Sequence, residues 1–163
     1  MAKGGLVFTK DNEYYTPLSV VRYFGEFDYD PATVPQKAAE LGIPHYDTIE
    51  TDGLAQDWTK YRRIWINPPF TRKHEFLAKA VETYRIAKNE IYVLFPIEFL
   101  TTRRFYEVCG GGRIYVPSGR INFQSGLGKK GKSPAFGSCV LKIQDHSEIV
   151  FIDIGELKWE LLG

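Results

Sequence analysis

Asn67, Pro68, Pro69 and Phe70 form the stretch whose residue types could do chemistry together. Asn67 carries a side-chain amide oxygen, a hydrogen-bond acceptor. Pro68 carries a carbonyl, and the ring of Pro69 restricts it to extended geometry. Phe70 adds a flat apolar face. Two acceptors beside an aromatic plate suit a planar ring bearing an exocyclic amine. The same four letters alone also describe a strand followed by a rigid turn, since neither proline has an N–H to continue a ladder. Their place in the chain narrows the choice. Ile64 to Ile66 is an apolar run suited to a buried strand, and open α/β sheets bind ligands at the C-terminal ends of their strands.

The preceding segments supply further polar groups. Thr16 can cap a helix with Pro17 at its first position, and residues 17–24 would form that helix before Gly25. A ligand carboxylate at the same helix start is the functional alternative for Thr16. Residues 27–30 alternate apolar and acidic side chains and end at Pro31, which predicts a short strand with Asp30 at its tip. Acids there meet ribose hydroxyls or ammonium groups, or they cap turns. No glycine-rich phosphate cradle follows, which argues against a nucleoside-triphosphate or NAD site. Residues 35–41 predict a two-turn helix stopped by Gly42, and 44–51 read as loop. Asp52-Gly53 marks a turn, followed by Leu54 and Trp58 as an i,i+4 apolar pair. Asp52 could accept from an adenine amine or only cap its turn.

Phe76, Leu77, Ala80, Val81, Tyr84 and Ala87 recur at helical spacing, and residues 91–95 form a continuous apolar strand bounded by Pro96. Strand, helix and strand in series imply a right-handed crossover with parallel pairing. Residues 101–108 predict another helix, capped by Thr101 or Thr102, with Gly110-Gly111-Gly112 as its end and a flexible link. Residues 113–116 and 120–123 are short strand candidates. Residues 126–134 form a loop rich in glycine and lysine. Residues 137–143 and 148–154 read as two strands joined through Asp145-His146. The fold class is α/β: a central, mostly parallel sheet with a C-terminal antiparallel hairpin region. It forms one compact domain over 1–163, with residues 1–12 as a loose arm.

Composition sets outer bounds. A hydrophobic fraction of 44% argues against disorder, and 163 residues suffice for one core. Cys109 and Cys139 fit no metal spacing or disulfide framework and read as buried thiols. His45, His74 and His146 are scattered, so no zinc site or histidine triad is expected. No stretch approaches a membrane span, and no secretion signal is evident. The net charge of +1 hides an asymmetry. Residues 23–60 hold eight acids against Lys37 and Lys60, while residues 101–134 hold seven bases against Glu107. Such polarity can steer a polyanion to one face, although charge runs are usually solvated surface.

Three blocks, in order, resemble the amino group of S-adenosylmethionine-dependent methyltransferases, and within it the small phage-encoded DNA adenine-N6 methyltransferase family. They are Tyr15-Thr16-Pro17, Asp28-Tyr29-Asp30-Pro31-Ala32, and Asp52-Gly53-Leu54 through Trp58 into Asn67-Pro68-Pro69-Phe70. Phe95-Pro96, Gly119 to Phe123 and Lys132 to Ser138 are also similar to that family. The resemblance implies a reduced Rossmann-like methyltransferase fold, S-adenosyl-L-methionine as cofactor and the N6 amine of adenine in DNA as methyl acceptor. It implies Tyr15, Thr16 and Pro17 at the cofactor's methionine carboxylate, and Asp30, Pro31 and Ala32 at its amino group or ribose. It also implies Asp52, Gly53 and Leu54 at its adenine, with Glu50 a candidate for the ribose. Asn67 and the Pro68 carbonyl, followed by Pro69, would bind the target amine, with Phe70 stacked on the base. Arg120, Lys129, Lys130 and Lys132 would face substrate phosphates, on double-stranded DNA with a flipped adenine. No metal and no membrane are implied. A homo-oligomer is compatible but not indicated, and the implied setting is the bacterial cytoplasm, for a chain of phage or prophage origin.

The chain departs from larger relatives of that family. It lacks the glycines usual after the first strand, and the stretch between Asp30 and Asp52 is too short for a full helix–strand–helix unit. No separate target-recognition domain is expected. The same loop also suits cytosine N4, RNA adenine or a glutamine amide, and a non-catalytic nucleic-acid-binding domain with a degenerate pocket is the contrasting expectation.

Overall fold

The computed structural model describes residues 14–118, 124–125 and 137–153. The first half comprises β1 (Tyr14–Tyr15), α1 (Leu18–Tyr23), β2 (Tyr29–Asp30), α2 (Pro35–Leu41), β3 (His45–Tyr46) and β4 (Arg63–Ile66). The second comprises α3 (Lys73–Ala87), β5 (Glu90–Pro96), α4 (Arg103–Val108), β6 (Arg113–Pro117), β7 (Gln124–Ser125), β8 (Ser138–Lys142) and β9 (Glu148–Ile152). Among the described residues, seven strands form one sheet in the order β3-β2-β4-β5-β8-β6-β9, and β1 pairs with β7 apart from it.

The sheet is covered on both faces, and the alternation of its strands explains why. Ile64, Ile66, Ile91, Val93, Phe95, Cys139 and Leu141 point to one side, where Phe76, Leu77 and Ala80 of α3 and Phe105 of α4 join them. Trp65, Tyr92, Leu94 and Val140 point to the other, against Val20 and Val21 of α1 and Leu41 of α2. β4 and β5 are therefore apolar at nearly every position, the signature of strands buried on two faces. The result is a mixed α/β fold with a central sheet. β3, β2, β4 and β5 run parallel, so their C-terminal ends share one edge.

The helix predicted over 17–24 starts at Leu18, and Pro17 is its N-cap with no side-chain cap bond. Thr16 therefore does not cap α1; its hydroxyl is engaged elsewhere. β3 lies where a loop was expected. It is only two residues long, and exposed His45 and Tyr46 give it no apolar pattern. Leu54 and Trp58 do not share a helix; Gly53–Ala55 is a single 3₁₀ turn. The helix expected from Phe76 begins three residues earlier, preceded by a 3₁₀ turn over Phe70–Arg72. Thr102 is the α4 cap, accepting from Phe105 N–H at 3.1 Å. Residues 120–123 and 126–134 lie outside the described residues.

The expected C-terminal hairpin is not one. β8 pairs antiparallel with both β5 and β6, whereas β9 pairs parallel with β6. β6 thus sits between the two strands that sequence adjacency had paired. Their short link crosses the start of β6, and the triglycine makes the crossing possible. A Cβ on Gly111 would stand 2.0 Å from Ser147 Oγ, and one on Gly112 would stand 2.8 Å from the Lys142 carbonyl oxygen. All three glycines also have positive φ. Gly110 to Gly112 is a packed underpass rather than a flexible link.

Candidate active site

The shared edge of the parallel strands collects four separate pieces of chain. β4 delivers Asn67 immediately after Ile66, because the two prolines end its ladder. The 3₁₀ turn that follows uses the Pro69 carbonyl, which accepts from Arg72 N–H at 3.0 Å. Pro68 and Pro69 are buried, and Asn67 and Phe70 are half-buried. Lys73, the first residue of α3, donates through Nζ to the Phe70 carbonyl at 3.0 Å. Its ammonium lies 5.4 Å from the centre of the Phe99 ring.

Thr16 meets this loop from 51 positions away. Asn67 Nδ2 donates to Thr16 Oγ1 at 2.9 Å, and Thr16 is only 3% exposed. This bond accounts for the missing cap on α1. Tyr15 and Pro17 flank it: Tyr15 lies in the β1–β7 ribbon, and the Pro17 carbonyl accepts from Val20 N–H at 3.1 Å.

Asp30 ends β2, beside β4 in the sheet. Its carboxylate is 3% exposed and accepts from Ala32 N–H at 2.9 Å, so Pro31 and Ala32 close a tight Asx turn. Burial raises its pKa from the ordinary 3.8 to about 7, against the lowering effect of the Ala32 bond. No cation stands within ion-pair distance of it among the described residues. Neighbouring Tyr29 donates its hydroxyl to Asp47 Oδ2 at 2.5 Å. Burial first, then that carboxylate, push its pKa upward.

The Asp52 turn packs directly on the Asp30 turn. A Cβ at Gly53 would lie 1.9 Å from the Pro31 carbonyl oxygen, so only glycine fits. Asp52 adopts a positive φ of 53° and accepts from Leu54 N–H at 3.2 Å. Buried Trp58 donates its indole N–H to the Gly53 carbonyl at 2.8 Å and stacks on Phe76 of α3. Lys79 of α3 donates to the Leu54 carbonyl at 2.9 Å. Glu50 sits in the exposed turn before Asp52, where Thr48 Oγ1 donates to it at 2.7 Å and holds its pKa below the usual carboxylate range.

The geometry therefore draws Thr16 to Asn67, and Asp30-Pro31 to Asp52-Gly53, all at one sheet edge. It keeps Glu50 on the exposed side. Arg120, Lys129, Lys130 and Lys132 lie outside the described residues. Lys73, Trp58 and Lys79 support the site without having been singled out for it. Trp58 was visible as an apolar partner and at the end of a family-like block, without a polar role, and nothing in the spacing announced the lysines' carbonyl contacts. Among the described residues, no group of three or more His, Cys, Asp or Glu is placed to hold a metal. Cys139 is buried, with its thiol pushed up to about 12 by desolvation, which leaves it inert as a nucleophile.

A family model described as DNA N-6-adenine-methyltransferase (Dam) matches residues 8–156. A curated DNA N-6-adenine-methyltransferase of Escherichia phage T1 is 28% identical over 154 residues, covering 82% of this chain. The alignment spans 63% of that relative's own length. A solved structure from Listeria monocytogenes, described as a class I S-adenosylmethionine-dependent methyltransferase, is similar at 14% identity with a TM-score of 0.38. That match covers 74% of this chain and 45% of the other. The match to the family model runs through all four pieces of the sheet edge, and the chain belongs to the DNA N-6-adenine-methyltransferase (Dam) family.

Proposed function

We propose that this chain transfers a methyl group from S-adenosyl-L-methionine to the N6 amine of adenine in DNA, on a reduced Rossmann-like sheet. The observation that carries the reading is the Asn67-Pro68-Pro69-Phe70 loop at the end of β4, with the Asn67 amide anchored through Nδ2 to Thr16.

The residues present fit the cofactor. Asp30 is a buried carboxylate with no cation within ion-pair distance among the described residues, and an ammonium group is the partner such a carboxylate lacks. Asp30, Pro31 and Ala32 would hold the cofactor's amino group or ribose. Tyr15, Thr16 and Pro17 would hold its carboxylate, and Asp52, Gly53 and Leu54 its adenine, with Glu50 as the outer candidate for the ribose. The bound cofactor supplies an electrophilic methyl on a sulfonium.

The amine of adenine is a poor nucleophile because its lone pair is delocalised into the ring. Asn67 Oδ1 and the Pro68 carbonyl accept its two N–H bonds and favour a pyramidal nitrogen, whose lone pair then points away from both acceptors. Phe70 stacks on the base and holds its plane. Stacking of this kind is worth roughly 1–3 kcal/mol and offsets part of the cost of taking the base out of a duplex. The rate enhancement comes from orientation and fixed dipoles, with no covalent enzyme intermediate. Basic residues Arg120, Lys129, Lys130 and Lys132 would meet the phosphates.

The test is incubation with methyl-labelled S-adenosylmethionine and mixed-sequence double-stranded DNA, followed by nucleoside analysis. Label in N6-methyladenine is expected. Label in N4-methylcytosine, or only in RNA, would reassign the substrate. Cofactor binding without any transfer to nucleic acid would leave a binding domain as the better reading.

A further inference from the structure

We propose that Thr16 is a positioning residue for the methyl-transfer step, aligning the Asn67 amide toward the target amine; this rests on the function proposed above. The side-chain amide of Asn67 has one acceptor end and one donor end. With Nδ2 donating to Thr16 Oγ1 at 2.9 Å, Oδ1 lies on the opposite prong of the same rigid plane. The reversed orientation would turn Nδ2 toward the amine and set donor against donor. The bond to Thr16 anchors the amide plane at Nδ2 and directs Oδ1 away from Thr16. Its own side chain is 3% exposed, so water does not readily take its place.

The sequence around Thr16 suggests a helix cap, and the fold declines that use. α1 starts two residues later, at Leu18, with Pro17 as its N-cap and no side-chain cap bond. A threonine that caps nothing, is buried, and bonds a residue 51 positions away is held for that contact. The contact also joins the start of α1 to the end of β4, so the amide plane is fixed by two elements of the fold.

The variants are Thr16→Val, which keeps the shape and removes the hydroxyl, and Thr16→Ser, which keeps the hydroxyl. Thr16→Ala is the second deletion variant should valine pack badly. The measurement is kcat for DNA methylation at saturating cofactor, beside the cofactor KM. Thr16→Val is expected to lower kcat about tenfold, the scale of one lost buried hydrogen bond, and Thr16→Ser to restore most of it. A threonine that served only the cofactor would raise the cofactor KM and leave kcat intact, and that result would overturn the proposal. A readout independent of turnover is the ¹⁵N–¹H signal pair of the Asn67 side chain, assigned with Asn67→Asp. The pair should move in Thr16→Val and stay in Thr16→Ser; a pair unmoved by loss of the hydroxyl overturns the contact. Should the native protein fail to methylate DNA, the functional reading falls while these signals still decide the contact.

Discussion

Replacing Asp30 by Asn should stabilise the cofactor-free protein increasingly as pH rises, and should abolish tight cofactor binding. The Asp30 carboxyl is buried, and burial lifts its pKa from 3.8 to about 7. That displacement corresponds to roughly 4 kcal/mol by which the fold disfavours the charged form. Between about pH 4 and 7 the folded state retains a proton that the unfolded chain has released, so stability falls as pH rises through this window. Above pH 7 the cost is complete. An asparagine does not titrate, and its Oδ1 can still accept from Ala32 N–H, a bond now 2.9 Å long. Any fixed difference in packing adds a constant offset, so the informative quantity is the change with pH. Asp30→Asn should gain on the native protein by roughly 2–3 kcal/mol between pH 5 and pH 8. Urea unfolding at several pH values reads this directly. Calorimetric titration with the cofactor gives the other half. Native affinity should rise from pH 5 toward pH 7.5 as the carboxylate becomes available to an ammonium, while Asp30→Asn should bind weakly throughout. A stability difference that is flat with pH would refute the burial argument. Native-like cofactor affinity in Asp30→Asn at pH 8 would refute the pairing.

Other perturbations test the neighbouring parts. Phe70→Ala should weaken binding of DNA containing the target adenine and lower kcat/KM, since roughly 1–3 kcal/mol of stacking is removed; unchanged steady-state kinetics would count against a ring on the base. Gly53→Ala places a methyl 1.9 Å from the Pro31 carbonyl oxygen, where only backbone movement can relieve the clash. We expect about 3 kcal/mol of destabilisation in urea, together with weaker cofactor binding, because the Asp30 turn must shift. Changing Lys129, Lys130 and Lys132 together to Ala should lower DNA affinity and flatten its dependence on salt; an unchanged slope in a salt titration removes them from the interface.

The parts of this fold that were legible in the sequence are those governed by local pattern. α3 and β5 follow from strong apolar periodicity, α2 ends at Gly42 in a left-handed conformation, and of the two threonines offered as the α4 cap, Thr102 is the one that serves. The end of β4 at Asn67 was legible because two prolines leave no other outcome. Two of the misreadings share a cause, contacts distant in sequence. β8 and β9 look like a hairpin until β6 is inserted between them, and the reason lies in Gly111 and Gly112 passing under Ser147 and Lys142. Thr16 looks like a cap because its true partner is 51 residues away. β3 was hidden because two exposed edge residues carry no hydrophobic signal. Asp30 and Asp52 were legible as strand-tip and turn acids, but the Gly53–Pro31 contact that joins their turns was not.

Asn67 and the Pro68 carbonyl are the groups proposed to bind the amine that receives the methyl group. The most direct measurement is single-turnover methyl transfer to adenine-containing DNA by the native protein and Asn67→Ala, with cofactor affinity measured on the same samples. N6-methyladenine is expected from the native protein and none from Asn67→Ala, with cofactor binding retained in both. A near-native rate of N6-methyladenine formation by Asn67→Ala would contradict this role for Asn67.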